Sequence, residues 1–292
     1  MLVLLGLAGV LMLGFAFDGG SDADTDDPAD TDAFPDGEGD PQQQRVEGTD
    51  GDEWLEGSGG DDLIEGLGGD DDIRAGSGSD LVIGGAGHDV ISGDYSIEDF
   101  GRDTLHGGDG DDLLAGDGND DELHGDDGRD TLIGGDGNDL MRGGAGDDWL
   151  SGCAGDDTLF AGDGEDDLSG DAGDDHLVAD QDDWDRDWLH GGEGYDTLAG
   201  AAGDWLEGGA GSDQFLLPGD QADGRAPATV ADFDATEDHL DLVLPRAAIP
   251  GAQVTVEPQP DGTALVCLNG QPVAHVLNPR GLDAGQIGLR AA

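Results

Sequence analysis

The sequence predicts an all-β fold, a parallel β-roll (β-solenoid) of nonapeptide repeats ending in a small β-rich C-terminal cap. Three observations predict it. A nine-residue unit recurs through residues 48–216, the eighth residue of every unit is apolar, and the sixth is aspartate in every unit but the first.

The chain of 292 residues carries a formal net charge of -60, from 70 acidic residues against 10 arginines, with 57 glycines and 5% aromatic residues. Such a chain repels itself and buries little apolar surface, so it stays expanded unless something cationic completes it. Nucleic acid and anionic membrane surfaces are excluded as partners, because phosphate recognition needs clustered basic side chains. Hard cations are the natural counter-charge for carboxylates and carbonyls. Cys153 and Cys267 match no metal-ligand spacing and indicate no disulfide framework.

Four segments follow one another. Residues 1–17 are apolar; 18–47 form an acidic stretch with three prolines that reads as a disordered linker; 48–216 repeat; and 217–292 lose the repeat and gain β-branched runs. Consecutive units read GGAGHDVIS from Gly84, GGDGNDLMR from Gly134 and GGAGDDWLS from Gly143. Eighteen units fit between Gly48 and Leu216; the sixth carries an insertion of five residues, the fifteenth an insertion of three, and the seventeenth is one short. The eighth position runs from Leu55 and Ile64 through Met141 to Phe215. The fourth is glycine except at Asn119 and Asp185, residue types that tolerate a left-handed backbone.

Each unit divides into a six-residue turn and a three-residue strand whose middle side chain faces inward. Two units make one coil with a strand on each of two facing sheets, so the units give about nine coils and a roll on the order of 40 Å long. The turns carry the chemistry. The sixth-position aspartate offers carboxylate oxygens, and turn carbonyls near positions one, three and five offer more. Calcium accepts six to eight oxygens at loosely defined angles, and units n and n+2 lie on the same side, which allows about 16 sites between turns.

The pattern resembles the RTX, or haemolysin-type, calcium-binding repeat family over residues 48–216. The resemblance implies bound Ca2+ in multiple copies, with Asp62, Asp71, Asp80, Asp89, Asp112, Asp121, Asp130, Asp139, Asp148, Asp157, Asp166 and Asp175 as ligands. Asp103, Asp187, Asp196 and Asp213 join them near insertions or the end of the array. Glu53 departs from the pattern by residue type and Asp204 by spacing, and both are left out.

In the tail, strand-like runs lie at Thr229–Phe233, His239–Leu244, Gln253–Glu257, Ala264–Leu268 and Pro272–Leu277. GSDQFLL followed by ATVADFDATEDHLDLVL resembles the closing segment of RTX proteins, and such tails imply a signal for type I (ABC) secretion. Asp232, Asp234 and Asp241 read as a solvated turn in preference to a further calcium site. Residues 1–17 fit a secretory h-region and a membrane anchor about equally. No H-E-x-x-H or G-x-S-x-G is present, and the scattered histidines read as a solvated face. DADTDD from Asp22 lacks the glycine and glutamate of an EF-hand loop and reads as linker. Trp54, Trp149, Trp188 and Trp205 fall at the outward seventh position; with Trp184, the pair Trp188 and Trp205 offers an aromatic face that reads first as sheet packing.

These features describe a non-enzymatic calcium-binding protein, extracellular or on the cell surface, that folds on calcium and serves a structural, adhesive or buffering role. The alternatives are an accessory folding or secretion module of an enzyme or toxin system, and a carbohydrate- or matrix-binding module whose partner is a polysaccharide or cell surface.

Overall fold

The computed structural model describes residues 43–94, 101–179, 185–219 and 225–292. The apolar segment 1–17, residues 18–42 of the acidic stretch with DADTDD, and Trp184 lie outside the described residues.

Among the described residues, two sheets of 12 and 13 strands face each other, and successive strands of the repeat alternate between them. Every pairing within the array is parallel. Leu63 lies beside Leu81 and Ile64 beside Val82, so one coil takes 18 residues. The register absorbs the irregular units as the spacing predicts. Val90 pairs with Leu113 across the first insertion, Asp167 with Trp188 across the second, and Trp188 with Trp205 across the short unit.

Most strands of the array are longer than the three residues expected, although Trp54–Glu56, His176–Val178 and Thr197–Ala199 have that length. Leu63–Gly68 and Thr131–Asp136 are typical, each running through the first three residues of the following unit. The backbone amides there lie between neighbouring coils, and pairing them is what keeps them from being buried unsatisfied. The added length has a consequence for the interior. Side chains alternate along a strand, so positions six, eight and one of the next unit share the inward face. Asp62, Ile64 and Gly66 are all buried by that alternation.

The core is a pair of single-file ladders. Ile64, Val82, Leu105, Leu123, Met141, Leu159, Leu177, Leu198 and Phe215 line one sheet, and Ile73, Ile91, Leu114, Leu132, Leu150, Leu168, Leu189 and Leu206 line the other, all at 0–1% exposure. Each rung contributes roughly 1.5–3 kcal/mol of burial. Leu55, at the start of the array, keeps 8%.

The tail continues both sheets. His239–Leu244 adds in parallel to Gln214–Pro218, and Ile287–Ala291 adds in parallel to His239–Leu244. In the other sheet, Ala228–Val230 pairs with Trp205–Gly211 and then with Gln271–Val276, after which Ala264–Leu268 and Val254–Pro258 follow antiparallel. Switching to antiparallel order ends the repeat geometry and covers the last coil. Phe233 packs on Phe215 with ring centroids 6.0 Å apart. The strand Ile287–Ala291 was not among those expected. At the other end, Arg45–Glu47 is a strand paired with Leu63–Glu65, within the stretch read from sequence as linker. Val46 occupies the place of an eighth-position residue, although glycine and aspartate have been lost around it.

Candidate metal centre along the edges of the roll

The turns stack along two edges, one for odd-numbered and one for even-numbered units, and the sixth-position carboxylates form a column along each. Asp71, Asp89, Asp112, Asp130, Asp148, Asp166 and Asp187 lie on one edge; Asp62, Asp80, Asp103, Asp121, Asp139, Asp157, Asp175, Asp196 and Asp213 lie on the other. All are at most 3% exposed. Adjacent members are linked by one repeating bond. The backbone N–H of Asp121 donates to Oδ1 of Asp139 at 2.8 Å, Asp139 N–H to Asp157 Oδ1 at 2.7 Å, and Asp157 N–H to Asp175 Oδ1 at 2.8 Å. The other edge repeats it through Asp112, Asp130 and Asp148.

The second carboxylate oxygen is treated differently. Oδ2 of Asp71, Asp80, Asp89, Asp103, Asp112, Asp121, Asp130, Asp139, Asp148, Asp157, Asp175 and Asp196 is buried without a hydrogen-bond partner. A buried ionised oxygen left so is costly. Burial raises these groups from the ordinary value of 3.8, with neighbouring aspartates adding to the effect at most of them. Asp139 and Asp130 are pushed up to about 6, Asp112 and Asp157 to about 7, Asp80 and Asp148 to about 8, and Asp121 to about 9.

The unpartnered oxygens point toward a second set of oxygens. In the units from Gly66 to Gly191 that have glycine at position one, Oδ2 faces that glycine of its own unit, on the side where a Cβ would stand. A Cβ placed on Gly107 would crowd Asp112 Oδ2 and lie 2.9 Å from the carbonyl oxygen of Gly125, in the next coil. At Gly125 and Gly134 the same two atoms recur, Asp130 Oδ2 with the Gly143 carbonyl and Asp139 Oδ2 with the Gly152 carbonyl. Carboxylate and carbonyl oxygens therefore converge on the cradle left by an absent side chain, a donor set suited to a hard cation. Among the described residues, no group of three or more His, Cys, Asp or Glu side chains converges as a metal cage. Any cation held here must draw on main-chain carbonyls as well as carboxylates.

Not every expected residue has this geometry. Asp62 has both oxygens engaged, Oδ1 by the Gln44 N–H at 2.5 Å and Oδ2 by Ser58 N–H at 2.5 Å and Ser58 Oγ at 3.0 Å. Two residues outside the expected set fall into the columns. Asp204, set aside for its spacing, is buried and accepts the Asp187 N–H at 3.3 Å, since the one-residue deletion is absorbed in its turn. Asp238 accepts the Asp213 N–H at 3.0 Å and extends the even edge into the tail. Its signal was present in Asp238-His239-Leu240, which repeats the Asp175-His176-Leu177 pattern. Of the three tail aspartates considered earlier, Asp232 caps the amides of Gly208 and Gly209, Asp234 closes a turn on Thr236, and Asp241 pairs with Arg290 at 2.5 Å.

A further ladder at position five escaped sequence reasoning. Oδ1 of Asp70 accepts the His88 N–H, Asp120 that of Asn138, and Asn138 that of Asp156, at 2.7–3.0 Å on the exposed side of the turns. This explains why position five is so often aspartate or asparagine. Left-handed backbone extends beyond position four as well. Asn119 has φ 69° as expected, but Leu67, Asp117, Asp126, Cys153 and Asp171, all at position two, are also positive.

On the outer faces, His106 and His124 stack with centroids 4.4 Å apart, and His124 is lowered by burial and by His106. Trp54 and Trp149 are exposed, and Trp188 and Trp205 are direct neighbours in adjacent strands. Cys153 and Cys267 are free thiols.

Comparison with known proteins agrees with the repeat. The family model of the RTX calcium-binding nonapeptide repeat (four copies) matches residues 47–82, 70–94, 99–132, 124–152, 142–177 and 181–215. Among solved structures, twelve chains match. One is the extracellular lipase LipA from Serratia marcescens, with 19% identity and a TM-score of 0.23 over 86% of this chain and 40% of the lipase chain. The chain thus spans less than half of that lipase. A search of curated proteins returns no match.

Proposed function

The chain belongs to the RTX calcium-binding nonapeptide-repeat family, and from that premise we propose that it is a non-enzymatic, extracellular or surface protein whose roll folds around a row of calcium ions at each edge. The observation that carries this reading is the buried, unpartnered Oδ2 repeated coil after coil beside a carbonyl of the next coil. The aspartates named above, from Asp71 to Asp196, would hold the ions together with first-position carbonyls. Asp213 would serve at the end of the array, whereas Asp62, with both oxygens engaged, would not. Calcium, when bound, supplies the positive charge that a column of buried carboxylates lacks. The protein's own contribution is to fix each carboxylate by its Oδ1 bond and to exclude water from Oδ2. Folding energy and metal-binding energy are then the same quantity.

The chain would leave the cell unfolded where calcium is scarce, through type I machinery, and fold outside where calcium is millimolar. Its role there would be structural, adhesive or buffering.

Far-UV circular dichroism of the full chain, chelated and then titrated with calcium, tests the proposal, with magnesium as control. A coil-to-β transition driven by calcium and not by magnesium is expected. A β-rich spectrum indifferent to chelator would mean that the columns do not need a metal.

A second reading rests on Trp188 and Trp205, half-buried partners on adjacent strands whose rings could meet a sugar. Retention on neutral polysaccharide that drops in the Trp188→Ala, Trp205→Ala double variant would support it; unchanged retention would end it.

A further inference from the structure

The first position of the unit is the cradle of the proposed cation site, and in three units it is not glycine. Ala75, Ala161 and Ala179 occupy it in units four, thirteen and fifteen, all buried. We infer that each row of cations is interrupted at these alanines, so that the two edges are loaded over different stretches of the roll. This rests on the calcium reading given above and narrows it: the turns of Ala75, Ala161 and Ala179 stay empty, so Asp80 drops out of the ligand set given there.

The reason is steric. At glycine units, carboxylate and carbonyl oxygens approach the side of Cα where a methyl group would stand. A Cβ on Gly66 would lie 2.5 Å from Asp71 Oδ2, and one on Gly152 would lie 2.9 Å from the Gly170 carbonyl, closer than carbon and oxygen tolerate. An alanine methyl must therefore hold these oxygens apart. Calcium needs its oxygens at about 2.3–2.6 Å, so oxygens held apart in this way do not close on the ion. At unit four the buried Oδ2 of Asp80, unpartnered like those of the glycine units, is then left without the ion proposed for them.

The interruptions are unequally placed. On the odd edge, the cradle is glycine from Gly66 to Gly143 and closed at Ala161 and Ala179. On the even edge it is closed at Ala75 and glycine from Gly93 to Gly208. The middle coils are loaded at both edges, while each end of the array is loaded chiefly at one.

The test is a count of bound calcium per full-length chain, by native mass spectrometry and by metal analysis after gel filtration in calcium. Ala75→Gly and Ala161→Gly are each expected to add one ion and the double variant two. Gly134→Ala is expected to lose at least one. Should Gly134→Ala fail to fold, the alanine-to-glycine variants decide alone, since glycine fits every equivalent position. A parent that binds calcium, with unchanged counts in both glycine variants, overturns this inference and leaves the calcium reading standing. A parent that binds none overturns both.

Discussion

A single aspartate in the columns has two tasks, divided between its two oxygens. In Asp139, Oδ1 holds the Asp121 amide at 2.8 Å and Oδ2 has no partner among the protein groups. Substitution can separate the two. Asp139→Asn keeps an oxygen for the amide and removes the charge; Asp139→Ala removes both. Leaving a buried N–H unsatisfied costs about 1–3 kcal/mol, so Asp139→Ala should lower the stability of the chain in millimolar calcium by at least that amount. Asp139→Asn should lower calcium affinity while leaving the ion-free roll no less stable than the parent, because a neutral side chain has no charge to desolvate. Urea unfolding with and without calcium separates these outcomes, and equal losses for both variants would show that the hydrogen bond is irrelevant. The same division explains Asp62, whose second oxygen is taken by Ser58. Ser58 stands at position two, where many other units carry glycine, and nothing in the periodicity marks it as an acceptor's partner.

At the scale of the strand and turn, most of the architecture was legible because one constraint repeats. The inward eighth position, the 18-residue coil and the handling of both insertions all follow from alternation and parallel register, and the structure has them as the spacing predicts. Strand length was not legible, since glycine-rich positions one to three look like turn by composition and become strand only when a neighbouring coil accepts their hydrogen bonds. The Arg45–Glu47 strand was hidden for the same reason, as its unit keeps Val46 but has Gln44 where aspartate stands elsewhere. The position-five ladder depends on contacts between coils that no single unit displays. Two predictions belong here. Leu132→Ala, at a fully buried rung, should cost about 2–5 kcal/mol, whereas Leu113→Ala, on the exposed face of the neighbouring strand, should cost little; thermal unfolding in calcium compares them. Deleting five residues within 95–100 restores an 18-residue coil between Val90 and the strand that pairs with it. The calcium-driven circular dichroism transition should survive that deletion with its midpoint nearly unchanged, and its loss would mean that the insertion does more than bridge two units.

For the whole molecule, the net charge of -60 is opposed by almost nothing within the chain, and the columns concentrate that charge where solvent cannot screen it. Burial raises Asp121 to about 9, Asp80 and Asp148 to about 8, and Asp103 and Asp112 to about 7, against 3.8 in an unfolded chain. A carboxyl group raised by folding favours the folded state only while it is protonated. Its contribution is complete below the unfolded value and disappears as pH rises through the folded one. The ion-free roll should therefore lose stability continuously from about pH 4 to pH 9, the reverse of the acid denaturation expected when carboxylates are paired in the native state. Calcium inverts this dependence, because it binds the ionised form and must displace protons to do so. Affinity should rise steeply between about pH 6 and pH 8, with protons released on binding. Urea unfolding in chelator at about pH 5 and pH 8, repeated in millimolar calcium, gives four stabilities with an expected order: with chelator the chain is more stable at pH 5, and the increment from calcium is larger at pH 8. An ion-free chain more stable at pH 8 than at pH 5 would show that the buried carboxylates are already neutralised by some other means.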